Sequence, residues 1–175
     1  MSQSPIRRLP PALRFSLMFA ALAATAIAMP VIDPIQQHVV FPFTLSLATV
    51  SAAIIRWCGG SASALYDVLS LTSGCGAVRI ANGCNAIEIS GLLAAAMLAY
   101  PAPLRARLFG VIAGVGLLQG INLLRIISLL YLSCWSQAWF AFFHEYAWDA
   151  AIAFDALMIF LGWQRWQARP RRAAA

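Results

Sequence analysis

Apolar residues run along this 175-residue chain in long blocks, not in short alternations. A helix needs about 20 predominantly apolar residues to cross a bilayer. Four blocks predict such helices, at 14–32, 85–100, 107–132 and 147–163. The second is short and is expected to borrow its outer end from the preceding loop, and Pro101 and Pro103 end it. A fifth block, Phe41–Trp57, reads differently. Thr44, Ser46, Thr49 and Ser51 fall on one side of its helical period and Leu45, Leu47, Val50, Ile54 and Ile55 on another. That pattern predicts an amphipathic helix lying at the interface. Residues 58–83 form the loop that follows, with turn signals at Gly59-Gly60 and Ser73-Gly74. Its runs "LYDVLSL" and "AVRIA" alternate weakly and predict a small hairpin. The connection at 133–146 carries tryptophans suited to an interfacial aromatic belt. The expected fold is an all-α integral membrane protein. It has about four transmembrane helices, an interfacial amphipathic helix and a small outer-face hairpin, in one domain over 1–175.

Charge orients this plan. All twelve basic residues are arginine. Positive residues collect in short cytoplasmic loops. With four spans, one side holds Arg7, Arg8, Arg14, Arg105, Arg107, Arg165, Arg169, Arg171 and Arg172, and the other only Arg56 and Arg79. A fifth span at 41–57 would put the "PAPLRAR" loop and the C-terminal tail outside. The four-span plan therefore places both termini in the cytoplasm and residues 58–83 outside. The first block is similar to a secretory signal, but its apolar run is longer than a signal core and further spans follow, so it reads as a retained anchor. Composition agrees: 62% of residues are hydrophobic, 10% are charged, and mean hydropathy is +0.78, too apolar for a soluble domain. The net charge of +6 lies between apolar blocks, so it marks topology and not a nucleic-acid-binding face.

On this topology the polar residues of three spans meet at one depth. Cys84, Asn85 and Glu88 sit at the outer end of the second. Gln119, Asn122 and Arg125 sit in the outer half of the third, and His144, Glu145, Asp149 and Asp155 lie at or below the outer end of the fourth. An arginine in hydrocarbon costs about 3 kcal/mol on insertion scales unless it snorkels or pairs. Arg125 is therefore either half of a structural ion pair with Glu88, Glu145 or Asp149, or a functional group. Cys84 alone reads as a small buried hydrophobe. It gains weight from its place after Gly83 at a helix start, where the dipole favours a thiolate. Approach of His144 and Arg125 is expected to lower its pKa further. Cysteine, histidine and arginine together fit thiol acyl transfer: nucleophile, proton shuttle and oxyanion stabiliser. The chain has no HExxH, GxSxG, Gly-rich phosphate loop or CxxC, and no metal or organic cofactor is implied.

Three segments carry a family resemblance: Cys84 in "NGCNAIEISGLL", Arg125 in "QGINLLRIISLLY" and His144 in "FFHEYAW". In order and spacing they resemble the motifs of the exosortase/archaeosortase family, polytopic membrane cysteine enzymes proposed to be transpeptidases. The resemblance covers about residues 35–165 and is nearest the compact exosortase H type. It implies that Cys84 is the nucleophile, Arg125 the transition-state stabiliser and His144 the general acid/base; Asn85, Glu88, Asn122 and Glu145, among the polar residues at that depth, are expected in support. It implies substrates tethered in the bacterial inner membrane by a C-terminal sorting signal: a short motif, here IPTLxxWG-like, a hydrophobic span and a basic tail. Asn85-Ala86 after the cysteine departs from the small residue and glycine of many members.

Two other classes compete. Cys58, Cys75, Cys84 and Cys134 all fall near the outer face, as in a quinone-linked thiol–disulfide oxidoreductase, with Cys58–Cys75 a plausible bridge. The nearest pair is nine residues apart, which disfavours a redox shuttle. A transporter or assembly subunit would instead need Arg125 and Glu88 and dispense with Cys84.

Overall fold

The computed structural model describes residues 10–173, with side chains as far as Ala168. Helix α1 (Pro11–Ala28) starts on a proline, which needs no N–H partner there, and closes in a 3₁₀ turn, Met29–Val31. A short α2 (Asp33–Ile35), a π-helical turn (Gln36–Val40) and α3 (Phe41–Trp57) then run on as a single stretch. After the sheet come α4 (Ile87–Ala99), α5 (Leu104–Trp135), α6 (Gln137–Phe142), a π-helical turn (Phe143–Ala147) and α7 (Trp148–Ala173).

Four helical stretches are long and apolar enough to cross a membrane: Pro11–Val31, Asp33–Trp57, Leu104–Trp135 and Gln137–Ala168. The helix expected to lie at the interface over 41–57 is thus one of these four span-length stretches, running back to Asp33 through the π turn that holds Gln36, Gln37 and His38. The expected second span, at 85–100, yields a helix of only 13 residues, too short to be one of the four. The connection expected at 133–146 is almost wholly helical. Only Ser136 is extended, and its hydroxyl accepts from Trp139 N–H to start α6.

The helices pack in two layers. In the inner layer α4 lies between α1, α5 and α7. Its core is Leu93, Met97, Leu118, Ile152, Ala156 and Trp163. Small residues let these helices approach. A Cβ on Gly91 would stand 2.7 Å from that of Ala26, and one on Gly110 would collide with the Trp163 indole. In the outer layer α3 and the sheet pack on the far half of α5, around Leu47, Ala52, Ile55, Leu69, Ile80, Ile126 and Leu130. At about 1.5 Å per residue, the 32 residues of α5 are long enough to serve both layers. The buried stripe of α3 is Thr44, Leu47, Ala48, Ser51, Ala52 and Ile55, while Val50 is exposed. The segregation of hydroxyls from aliphatics expected there is not what packing uses, because small size matters more at this contact.

The predicted hairpin is a three-stranded antiparallel meander, β1 (Ala62–Leu65), β2 (Val68–Leu71) and β3 (Ala77–Arg79). The expected runs pair as Leu69 with Val78 and Val68 with Arg79, and "ASAL" adds the third strand. Arg56 holds β1 to the end of α3 through the Ala62 carbonyl, 3.1 Å away. The disulfide joins Cys75 to Cys134, not to Cys58. The β2–β3 turn lies on the last turn of α5, so close that a Cβ on Gly76 would stand 2.7 Å from the Cys134 sulfur. Cys58, at the end of α3, is exposed and free.

Two outcomes follow. Gly91→Ile forces α1 and α4 apart and lowers stability by about 1–3 kcal/mol; Gly116→Ile, with nothing within 4 Å, does not. Thermal unfolding in detergent compares them, and equal midpoints would refute the close α1–α4 contact. Under denaturing, non-reducing conditions a maleimide should label only Cys58 and Cys84, with all four cysteines labelled after reduction. Four adducts without reduction would remove the bridge.

Candidate active site

Between the two apolar cores lies a single polar layer. Leu118 belongs to the inner core and Ile126 to the outer. The residues between them on the same face of α5 are Gln119, Asn122 and Arg125. Asn122 and Arg125 are buried.

The 81–86 turn comes in from β3 at this depth. Cys84 N–H donates to the Ala81 carbonyl. The Asn85 side-chain carbonyl accepts from Ile87 N–H, opening α4, and its amide donates to Thr44 Oγ1 on α3. Gln119 donates to the main-chain carbonyls of Asn85 and Ala86 and, at 3.0 Å, to Ser90 Oγ. Asn122 in turn donates to the Gln119 side-chain oxygen. Ala86 holds a left-handed φ of 55° while fully packed, a conformation costly for a residue with a Cβ. The network of α3, α4 and α5 side chains therefore fixes the loop that carries the cysteine. The sequence singled out Asn85, Gln119 and Asn122, but not Thr44, Ser90 or the strained Ala86. A serine inside the apolar "AIEISGLL" was the available signal for Ser90.

Cys84 Sγ lies 3.3 Å from His144 Nε2. His144 is carried by the π turn after α6, where the widened backbone turns the imidazole toward the loop; such turns often mark functional sites. Its ring packs against Phe140. Arg125 donates from Nη2 to Asp149 Oδ1 at 2.8 Å, which resolves the three acidic candidates in favour of Asp149. The pair is one-sided: the Arg125 side chain is 2% exposed and that of Asp149 61%. Arg125 Nε and Asn122 Oδ1 are buried without a hydrogen-bond partner. Glu88, Glu145 and Asp155 make no hydrogen bond or ion pair among the described residues.

One electrostatic expectation is overturned. Cys84 stands three residues ahead of α4, not at its first turn, so the helix dipole acts on it weakly. Burial pushes its thiol up, and Arg125 only partly offsets this; Asp149 and Glu88 push it further up. The resting thiol is therefore protonated at neutral pH. Its sulfur stays within hydrogen-bonding distance of His144 Nε2.

A thiol–imidazole contact and a buried guanidinium, set between apolar cores in a bundle of long apolar helices, define a multi-pass membrane protein with polar groups inside the bundle. The family described as transmembrane exosortase (Exosortase_EpsH) matches residues 10–164, and the chain belongs to it. This bears out the resemblance carried by the three motifs. Neither a curated protein nor a solved structure matches the chain.

The raised thiol has a measurable consequence. In a Cys58→Ser protein, alkylation of Cys84 by a small neutral maleimide should climb with pH with no plateau below 9.0. Arg125→Gln removes the one lowering charge and slows the neutral-pH rate. A plateau below neutrality would mean a stabilised thiolate instead.

Proposed function

We propose that the protein is a membrane-embedded cysteine peptidase or transpeptidase. It cleaves the C-terminal sorting signal of exported proteins at the outer face through a thioacyl intermediate. The observation that carries this reading is the Cys84–His144 contact of 3.3 Å beside a buried arginine with an unpartnered Nε. Cys84 attacks the scissile carbonyl carbon as its proton passes to His144 Nε2. Arg125 Nε stabilises the oxyanion that forms, while Asp149 fixes the guanidinium plane. His144 then protonates the leaving amine as the C–N bond breaks, and water or another amine resolves the thioester. The substrate's apolar span docks laterally against the bundle and sets the depth of the scissile bond. An oxidising compartment at the Cys75–Cys134 end supports an extracytoplasmic site, with the termini in the cytoplasm of a bacterial inner-membrane protein. An IPTLxxWG-like signal is the substrate form that the compact-type resemblance implies.

The test follows the size of a tagged protein bearing such a signal in cells. Cys84→Ala and His144→Gln should abolish processing. Arg125→Lys keeps the charge but loses the planar donor, and should slow processing about 100-fold or more. Cys58→Ala should process normally. Normal processing by Cys84→Ala would sink the nucleophile assignment. An equal dependence on Cys75 and Cys134, with the variants still in the membrane, would favour the redox reading.

A further inference from the structure

At the end of the bundle opposite Cys84, a groove of about 650 Å³ opens between α1 and the α4–α5 turn. Its polar lining includes Arg14, Arg107 and Tyr100, and its apolar wall includes Phe15 and Met18. Arg107 donates from Nη1 to the Leu98 carbonyl at 2.8 Å, while its Nε is buried with no partner. Arg14 makes no ion pair among the described residues. Two helices begin at this groove, α1 at Pro11 and α5 just after Pro103. Their free N–H groups add positive potential.

No acid is available to balance these charges. Nine arginines fall within 7–14, 105–107 and 165–172, while the six acids are Asp33, Asp67, Glu88, Glu145, Asp149 and Asp155. None of the acids lies within 1–32, 89–144 or 156–175. No side-chain carboxylate of these segments supplies the counter-charge. The groove joins a cationic mouth to an apolar wall on the flank of a membrane bundle. That pairing matches a phosphate attached to acyl chains, not a free anion.

We propose that this groove binds one anionic phospholipid, its phosphate between Arg14 and Arg107 and an acyl chain along Phe15 and Met18. Tyr100 stands beside the phosphate as a neutral donor. The site has no part in the chemistry at Cys84 and does not depend on the reading of that site. Basic pockets between transmembrane helices are known to take anionic headgroups.

The experiment uses the full-length protein in detergent. Native mass spectrometry reads the lipid retained from mixtures of phosphatidylglycerol and phosphatidylcholine. One phosphatidylglycerol should be retained preferentially. Arg14→Gln and Arg107→Gln should each weaken retention roughly fivefold, and the double variant roughly 25-fold. Arg105→Gln, outside the groove, should leave it unchanged. Because Arg107 also ties down the Leu98 carbonyl, Arg14→Gln alone serves as the variant least able to disturb folding. Equal retention of both lipids, or an Arg14→Gln protein that retains phosphatidylglycerol as the parent does, would overturn the proposal. So would displacement of the lipid by millimolar inorganic phosphate, which would make the groove a free-anion site.

Discussion

The structure depends on one unfavourable group, the Arg125 guanidinium. Its side chain is almost fully buried between two apolar cores. Unpaired burial of a cation costs several kcal/mol even after relaxation. The fold meets that cost by bringing α7 against α5, so that Asp149 stands 2.8 Å away. The sharp turn at Ser136 and the π turn at Phe143–Ala147 set where α7 begins, and so which acid faces Arg125. The same π turn delivers His144 to Cys84. The pairing of the arginine and the placement of the histidine are thus consequences of one backbone path.

The polar layer is also the seam between two packing regimes. Below it, helices meet through glycine and alanine, as at Gly91 with Ala26. Above it, α3, the sheet and the end of α5 form an aliphatic core held by the Cys75–Cys134 bridge. The amides of Asn85, Gln119 and Asn122 close the seam in one continuous chain of hydrogen bonds. Such a network rigidifies only where its members are satisfied. Among the buried polar atoms without a partner, Arg125 Nε is the donor that the proposed chemistry assigns to the oxyanion.

Much of this was legible in sequence, for identifiable reasons. Hydrocarbon imposes long apolar blocks, so the bundle helices over 11–28, 104–135 and 148–173 could be read directly, though not their ends. Intramembrane polar residues are costly and few, so Cys84, Asn122, Arg125 and His144 stood out. What escaped detection was set by tertiary contact. Nothing local says that Cys75 meets Cys134, because their approach depends on the sheet lying on the end of α5. The extension of α3 back to Asp33 depends on a π turn that has no sequence signature. Whether Asp149, Glu88 or Glu145 pairs with Arg125 depends on helix rotation, which one turn of error reverses.

The protonation of Cys84 changes how the proposed reaction must start. A standing thiolate–imidazolium pair would need solvation that a cysteine only 8% exposed lacks. The protonated thiol 3.3 Å from His144 Nε2 is the resting state, and in the proposed reaction the thiolate character appears with the attack, as it does for a serine hydroxyl beside its base. Arg125 then acts mainly on the oxyanion and little on the resting thiol. This division has a protective side. A low-pKa, exposed thiol is readily oxidised, and the outer end of this fold already carries a disulfide. Burial and protonation make Cys84 a poor target for oxidation. Burial is then what separates the two free thiols: Cys84 is shielded near the disulfide, while Cys58 at the end of α3 is exposed.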